Sequence, residues 1–133
     1  MKPIKQEHSY GCCIACLAFI LQTDYKTVLN SIKGGAYKAE NIGFFCRNLT
    51  MILNSKGHKY KWKYLKPRIR KRIYSTNVIV FIKRSKKYPA GHYLVRHEDK
   101  WMDSWINFPN LPIKAGFRRR LSEKAIYAII PEL

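Results

Sequence analysis

The spacing of apolar positions divides the chain in two. From Ile14 to Leu21 every residue is apolar, all round the helix rather than along one stripe, and this predicts a helix buried on all sides over about Cys12 to Gln22. Thr23 or Asp24 is placed to cap a second helix, Tyr25 to Lys33, with Val28, Leu29 and Ile32 on one face and Gly34-Gly35 ending it. A loop carrying Tyr37 and Glu40 follows. Phe44, Phe45, Leu49, Ile52 and Leu53 then recur at helical spacing and predict a third helix over about Ile42 to Ser55.

From His58 the period changes to two. Lys59, Lys61 and Lys63 alternate with Tyr60, Trp62 and Tyr64, which predicts a strand with one basic and one aromatic face, closed by Pro67. Arg68 to Ile73 reads as a short helix or a basic loop. The continuous β-branched run Asn77 to Ile82 predicts a central strand, and Lys83 to Pro89 is a polar excursion after it. Gly91 to Val95 and Trp101 to Trp105 read as paired strands about a turn at His97 to Lys100. Asn107 to Pro112 is a loop with two prolines, Lys114 to Leu121 returns with Arg118-Arg119-Arg120 exposed, and Ala125 to Ile130 is a last buried strand. Helices first and an antiparallel sheet after them predict a single α+β domain over residues 1–133.

Composition narrows the class. A chain that is 47% hydrophobic and 14% aromatic is not a disordered one. No apolar run is long enough for a membrane span, and Gln6 to Gly11 is polar where the apolar stretch of a signal peptide would begin, so a cytoplasmic protein is expected. Cys12, Cys13 and Cys16 are too close along one helix to form a disulfide scaffold, which suits a reducing setting. Cys13-x-x-Cys16 with His8 and Cys46 raises zinc, but the pair lies inside an apolar helix and has no second paired motif, so neither metal nor cofactor is expected.

Charge adds a partner. The formal net charge is +18, and between Asn41 and His97 there is no acid against fifteen Lys and Arg. Lys59, Lys61, Lys63, Arg68, Arg70, Lys71, Arg72, Lys86 and Lys87, with Tyr60, Trp62, Tyr64 and Tyr88 among them, form a candidate surface for RNA or DNA; the same field would also draw an acidic protein.

The candidate chemistry sits at the first helix. A cysteine in the first turn lies among unpaired backbone N–H groups at the positive end of the dipole, which favours a thiolate and makes Cys12 a candidate nucleophile. If the hairpin turns at 97–100, position 92 faces roughly 105 and position 103 faces roughly 94. His92 and Asp103 then lie on neighbouring strands within reach, a base and its orienter. Gln6, five residues ahead of Cys12, can offer a side-chain amide to an oxyanion. His8 is a competing base, and Ser104, Tyr10 and His8 are candidates to line the cleft.

Gln6, Cys12, the Ala15 to Leu21 helix, His92 with its apolar strand, and then Asp103 stand in an order that resembles the papain-like cysteine peptidases. The closest likeness is to the bacteriocin-leader-processing group, peptidase family C39, and its stand-alone relatives. Gly11-Cys12-Cys13 replaces the usual Asp-Cys-Gly of that group, and Ser104 replaces its usual Pro, which leaves Cys13 as an alternative thiol. The resemblance implies a papain-like fold and a thiol-dependent peptidase or amide hydrolase with a Cys12-His92-Asp103 triad and Gln6 in the oxyanion hole. Its substrate would be a protein or peptide, acidic or associated with nucleic acid. The alternative is a nucleic-acid-binding protein, or a toxin that attacks nucleic acid, on the same scaffold.

Overall fold

Four helices precede a six-stranded antiparallel sheet in the computed structural model, which describes residues 1–132. The architecture is α+β, as the change of period at His58 predicts. Helix α1, Cys12–Leu21, has every residue from Cys13 to Ile20 buried. Its apolar circumference follows from its position: it packs on strand β3 with α2 and α4 beside it.

Helix α2 spans Tyr25–Asn30, capped by Asp24, whose Oδ1 accepts the Thr27 N–H at 2.7 Å. It ends earlier than Lys33. The segment expected as a loop with Tyr37 and Glu40 is instead helix α3, Gly35–Asn41. Only Gly35 and Ala39 of it are buried, too few positions to leave a periodic signal, and Gly34 at φ +67° provides the turn into it rather than a terminus. Helix α4, Cys46–Ser55, starts four residues later than the spacing predicts. Gly43 sits at φ +88°, and the Phe45 N–H donates to Asn48 Oδ1 at 2.8 Å, which starts the helix after Phe45 and leaves 42–45 as an irregular wall.

The strands are β1 Tyr60–Tyr64, β2 Ile79–Ile82, β3 His92–His97, β4 Lys100–Asp103, β5 Gly116–Arg118 and β6 Ala125–Pro131, arranged β1-β6-β2-β3-β4-β5. Strand β2 is central, between β6 and β3. The basic run 67–74 is a 3₁₀ helix, Pro67–Tyr74. Alternation along the strands splits the core. Ile79, Tyr93, Val95, Met102 and Ile129 face the helices, whereas Val80, Ile82, Leu94, Trp101 and Ala128 pack with Leu65, Ile73 and Tyr88 on the other side. Among the described residues, no helix is long and apolar enough to cross a membrane.

Candidate active site

The β3–β4 hairpin pairs His97 with Lys100, Arg96 with Trp101 and Val95 with Met102, the register expected from the turn. His92 and Asp103 therefore share a sheet face on adjacent strands, one diagonal step apart. Their contact is short: His92 Nε2 lies 2.7 Å from Asp103 Oδ1, with both side chains almost wholly shielded from solvent. The ring's other nitrogen, Nδ1, is left for a second partner. Cys12 lines the same cleft as His92 and lies close enough to favour the charged ring. Burial pulls the His92 pKa down, but the Asp103 hydrogen bond and Cys12 outweigh it and push the ring up to about 9.

Asp103 is held on both oxygens. Oδ1 also accepts the Trp105 backbone N–H at 3.0 Å, and Oδ2 accepts the Tyr88 hydroxyl at 3.4 Å and Arg118 Nη1 at 3.3 Å. Burial alone would raise its pKa, yet His92, the Trp105 N–H and Arg118 hold it below the ordinary carboxylate value. Arg118, expected to be exposed with its neighbours, is instead turned in from β5 onto this carboxylate, while Arg119 and Arg120 stay exposed. Alternation on a three-residue strand is too short a pattern to announce it.

Tyr88 is the second residue missed as a member of the site. Its ring lies flat on His92, centroids 4.1 Å apart and planes 2° from parallel, and its hydroxyl also donates to the Trp105 carbonyl at 3.1 Å. The polar excursion after β2 thus folds back over the imidazole. Backbone bonds from Gly91 N–H and Ser85 N–H to the Tyr88 carbonyl fix that return. Gly91, at φ +80°, is obligatory, since a Cβ there would meet the Phe81 ring.

Gln6 is where the sequence places it, but its amide is occupied. Oε1 accepts the Ser104 hydroxyl at 2.7 Å, and Nε2 donates to the carbonyls of His8 at 2.8 Å and Ser9 at 3.3 Å. The second of these bonds is the weak one. Ser104 thus orients Gln6 from a fully buried position rather than lining the cleft. His8 is drawn away from Cys12 to Tyr25, with Nδ1 2.9 Å from the tyrosine hydroxyl, which removes it as a base. Tyr25 in turn braces Gly11, where any Cβ would collide with its hydroxyl.

The two adjacent thiols part company. Cys12 is half-buried and lines the cleft, whereas Cys13 is buried in the core, its pKa raised by burial and by the neighbouring cysteines. Cys13 is no alternative nucleophile. Cys16 is buried with its thiol raised in the same way, and among the described residues no group of three or more His, Cys, Asp or Glu could hold a metal ion.

The cleft at this end of the sheet has a volume of about 940 Å³. Ten of its 22 lining residues are aromatic; Arg47 and Arg84 line it, and among the described residues no carboxylate does. Tyr10 is one of the lining residues.

The basic residues singled out for nucleic acid do not act as one set. Lys59, just before β1, and Lys61 on it are exposed, although Lys61 pairs with Glu132 at 3.1 Å, and Lys63 is half-buried. Arg68, Lys71 and Arg72 are exposed on the 3₁₀ helix, but Arg70 turns in and donates to the Ala125 carbonyl at 3.2 Å. Lys86 and Lys87 belong to the excursion over His92, with Lys87 Nζ 5.4 Å from the Tyr88 ring centre. The aromatic face of β1 is more open than its pattern suggests, with Trp62 47% exposed.

No protein-family model matches the chain, and no curated protein matches it.

Proposed function

We propose that the chain is a papain-like thiol hydrolase, a small peptidase or amide hydrolase resembling the C39 group, with Cys12 as nucleophile. The reading is carried by the 2.7 Å contact of His92 Nε2 with buried Asp103, which leaves Nδ1 to a thiol in the first turn of a buried helix. Cys12 gives its proton to His92, and the thiolate attacks a carbonyl carbon. The tetrahedral oxyanion takes the Cys12 backbone N–H, which has no intrahelical acceptor. It also takes Gln6 Nε2, once the 3.3 Å bond to the Ser9 carbonyl is released. His92 then protonates the leaving amine, and water, losing its proton to His92, hydrolyses the thioester. A reducing cell interior, the cytoplasm, suits the four free thiols.

The test is alkylation by iodoacetamide at pH 6, located by peptide mapping. Fast labelling of Cys12 in the wild type and slow labelling in His92→Gln is the expected result. Equally slow labelling in both overturns the reading.

A second reading, nucleic-acid binding on the same scaffold, draws on the exposed cations Arg68, Lys71 and Arg72 with the exposed ring of Tyr74 at the end of their helix. Its signature is affinity for a single-stranded oligonucleotide that falls steeply with salt and is lost in the triple Arg68→Glu, Lys71→Glu, Arg72→Glu variant. Salt-independent or variant-independent retention removes it.

A further inference from the structure

One aromatic side chain per strand lines up in register across four strands of the sheet. Tyr64 of β1 stands opposite Tyr127 of β6, Tyr127 opposite Phe81 of β2, and Phe81 opposite Tyr93 of β3. Neighbouring ring centres are 5.8, 6.3 and 4.9 Å apart, and Trp62 adds a ring 6.0 Å from Tyr127. Tyr93, next in the chain to His92, is the buried inner rung, while the outer rungs are open, Tyr64 being 58% exposed. Three interstrand steps of about 4.8 Å make the ladder about 14 Å long. It runs from Tyr93, which lines the cleft with His92, to the free edge of the sheet.

The wall facing this floor is the irregular segment before α4, where Ile42 and Phe45 are 60% and 70% exposed. Large apolar side chains so open to water, gathered round one cleft, mark a surface that is covered in use. Arg47 and Arg84 line the same cleft, and no carboxylate among the described residues lines it with them.

We propose that this groove binds an extended, acidic peptide segment with large apolar side chains at alternate positions. In an extended chain, residues i, i+2 and i+4 point the same way and span about 13 Å, which matches the ladder. Carboxylates beside them meet Arg47 and Arg84, and a cationic segment is repelled by these and by the +18 net charge. The groove fits a nucleic acid less well. Successive rungs are inclined by 74°, 46° and 57°, so each ring blocks its neighbour's face and no parallel platform exists for consecutive bases.

The inference deepens the hydrolase reading by naming the substrate, and binding is measured without turnover. The probes for the full-length Cys12→Ala protein are fluorescein-labelled octapeptides: alternating Glu and Leu, the same residues in two blocks, alternating Glu and Ser, and alternating Lys and Leu. Oligo-dT serves as the nucleic-acid probe. The alternating Glu-Leu peptide is expected to bind at least tenfold tighter than the other three, and at least fivefold weaker to Trp62→Ser and to Arg84→Glu. Trp62 is exposed, so its substitution leaves the core intact, and circular dichroism checks the fold of each variant.

Equal binding of the Glu-Ser peptide, tighter binding of the block peptide, or unchanged affinity in the Trp62→Ser protein overturns the proposal. So does tighter binding of oligo-dT that Trp62→Ser weakens. The two readings fail separately. Peptide binding without His92-dependent alkylation of Cys12 sinks the hydrolase and keeps the groove, and His92-dependent alkylation without peptide discrimination does the reverse.

Discussion

Charge is held in opposite ways at the His92–Asp103 pair and on the 3₁₀ helix Pro67–Tyr74. At the pair, both carboxylate oxygens have named partners: Asp103 is fully buried yet receives donors from His92, Trp105, Tyr88 and Arg118. On the 3₁₀ helix, Arg68, Lys71 and Arg72 project into solvent, and only Arg70 is tied down, on the Ala125 carbonyl. A buried charge survives only where every neighbour is arranged for it, so the arrangement constrains chemistry. An exposed charge needs no such arrangement; it acts at a distance and is screened by salt. In the proposed reading the first region sets the reaction, and the second what the molecule meets.

The largest expected effect separates them outright. His92→Ala should slow alkylation of Cys12 at pH 6 by about 100-fold or more, the scale of a lost acid–base partner. The triple charge reversal on the 3₁₀ helix should leave that rate unchanged; similar losses in both proteins would break the contrast. Asp103→Ala comes next. It strands the donors of four groups, His92 among them, and should cost about 3–5 kcal/mol in urea unfolding. Arg68→Ala should stay within about 0.5 kcal/mol of the wild type.

Titration sharpens the comparison further. Asp103 is held below its ordinary pKa of 3.8, so the folded chain binds fewer protons there than the unfolded chain does. Its stabilisation is complete above that value and is lost as pH falls through the folded-state value. Urea midpoints of wild type should therefore drop more steeply below pH 4 than those of Asp103→Asn. At the other end, amide hydrolysis should decline as pH rises through about 9, where His92 releases the proton that the leaving amine needs. Alkylation of Cys12 should not decline with it, because that reaction has no amine to protonate.

The smallest effect concerns Tyr88→Phe. The variant keeps the ring stacked on His92 and removes the hydroxyl donated to Trp105 and Asp103, a loss of about 0.5–1.5 kcal/mol by chemical denaturation. A loss no larger than that of Arg68→Ala would show the hydroxyl to be idle.

Much of the frame was legible from local pattern. The apolar run 14–21 announces a buried helix, and the switch to a period of two at His58 announces the sheet. The hairpin register follows from the turn at 97–100 alone, and with it the meeting of His92 and Asp103. What local pattern misses are features set by a few positions. Helix α3 buries only Gly35 and Ala39, and the late start of α4 depends on one asparagine side chain and a glycine at positive φ.

The amino-acid sequence by itself determined the buried first helix, the change from helices to strands at His58 and the hairpin that brings His92 to Asp103, because periodicity and hairpin spacing are properties of neighbours along the chain. Only the tertiary structure decided which of two adjacent cysteines opens to the cleft, which of three consecutive arginines turns in to Asp103, and that the Gln6 amide is already engaged. It also decided that aromatic residues from four separate strands form one ladder. Those outcomes depend on which groups from distant segments arrive at the same few ångströms, and no pattern of neighbours encodes that.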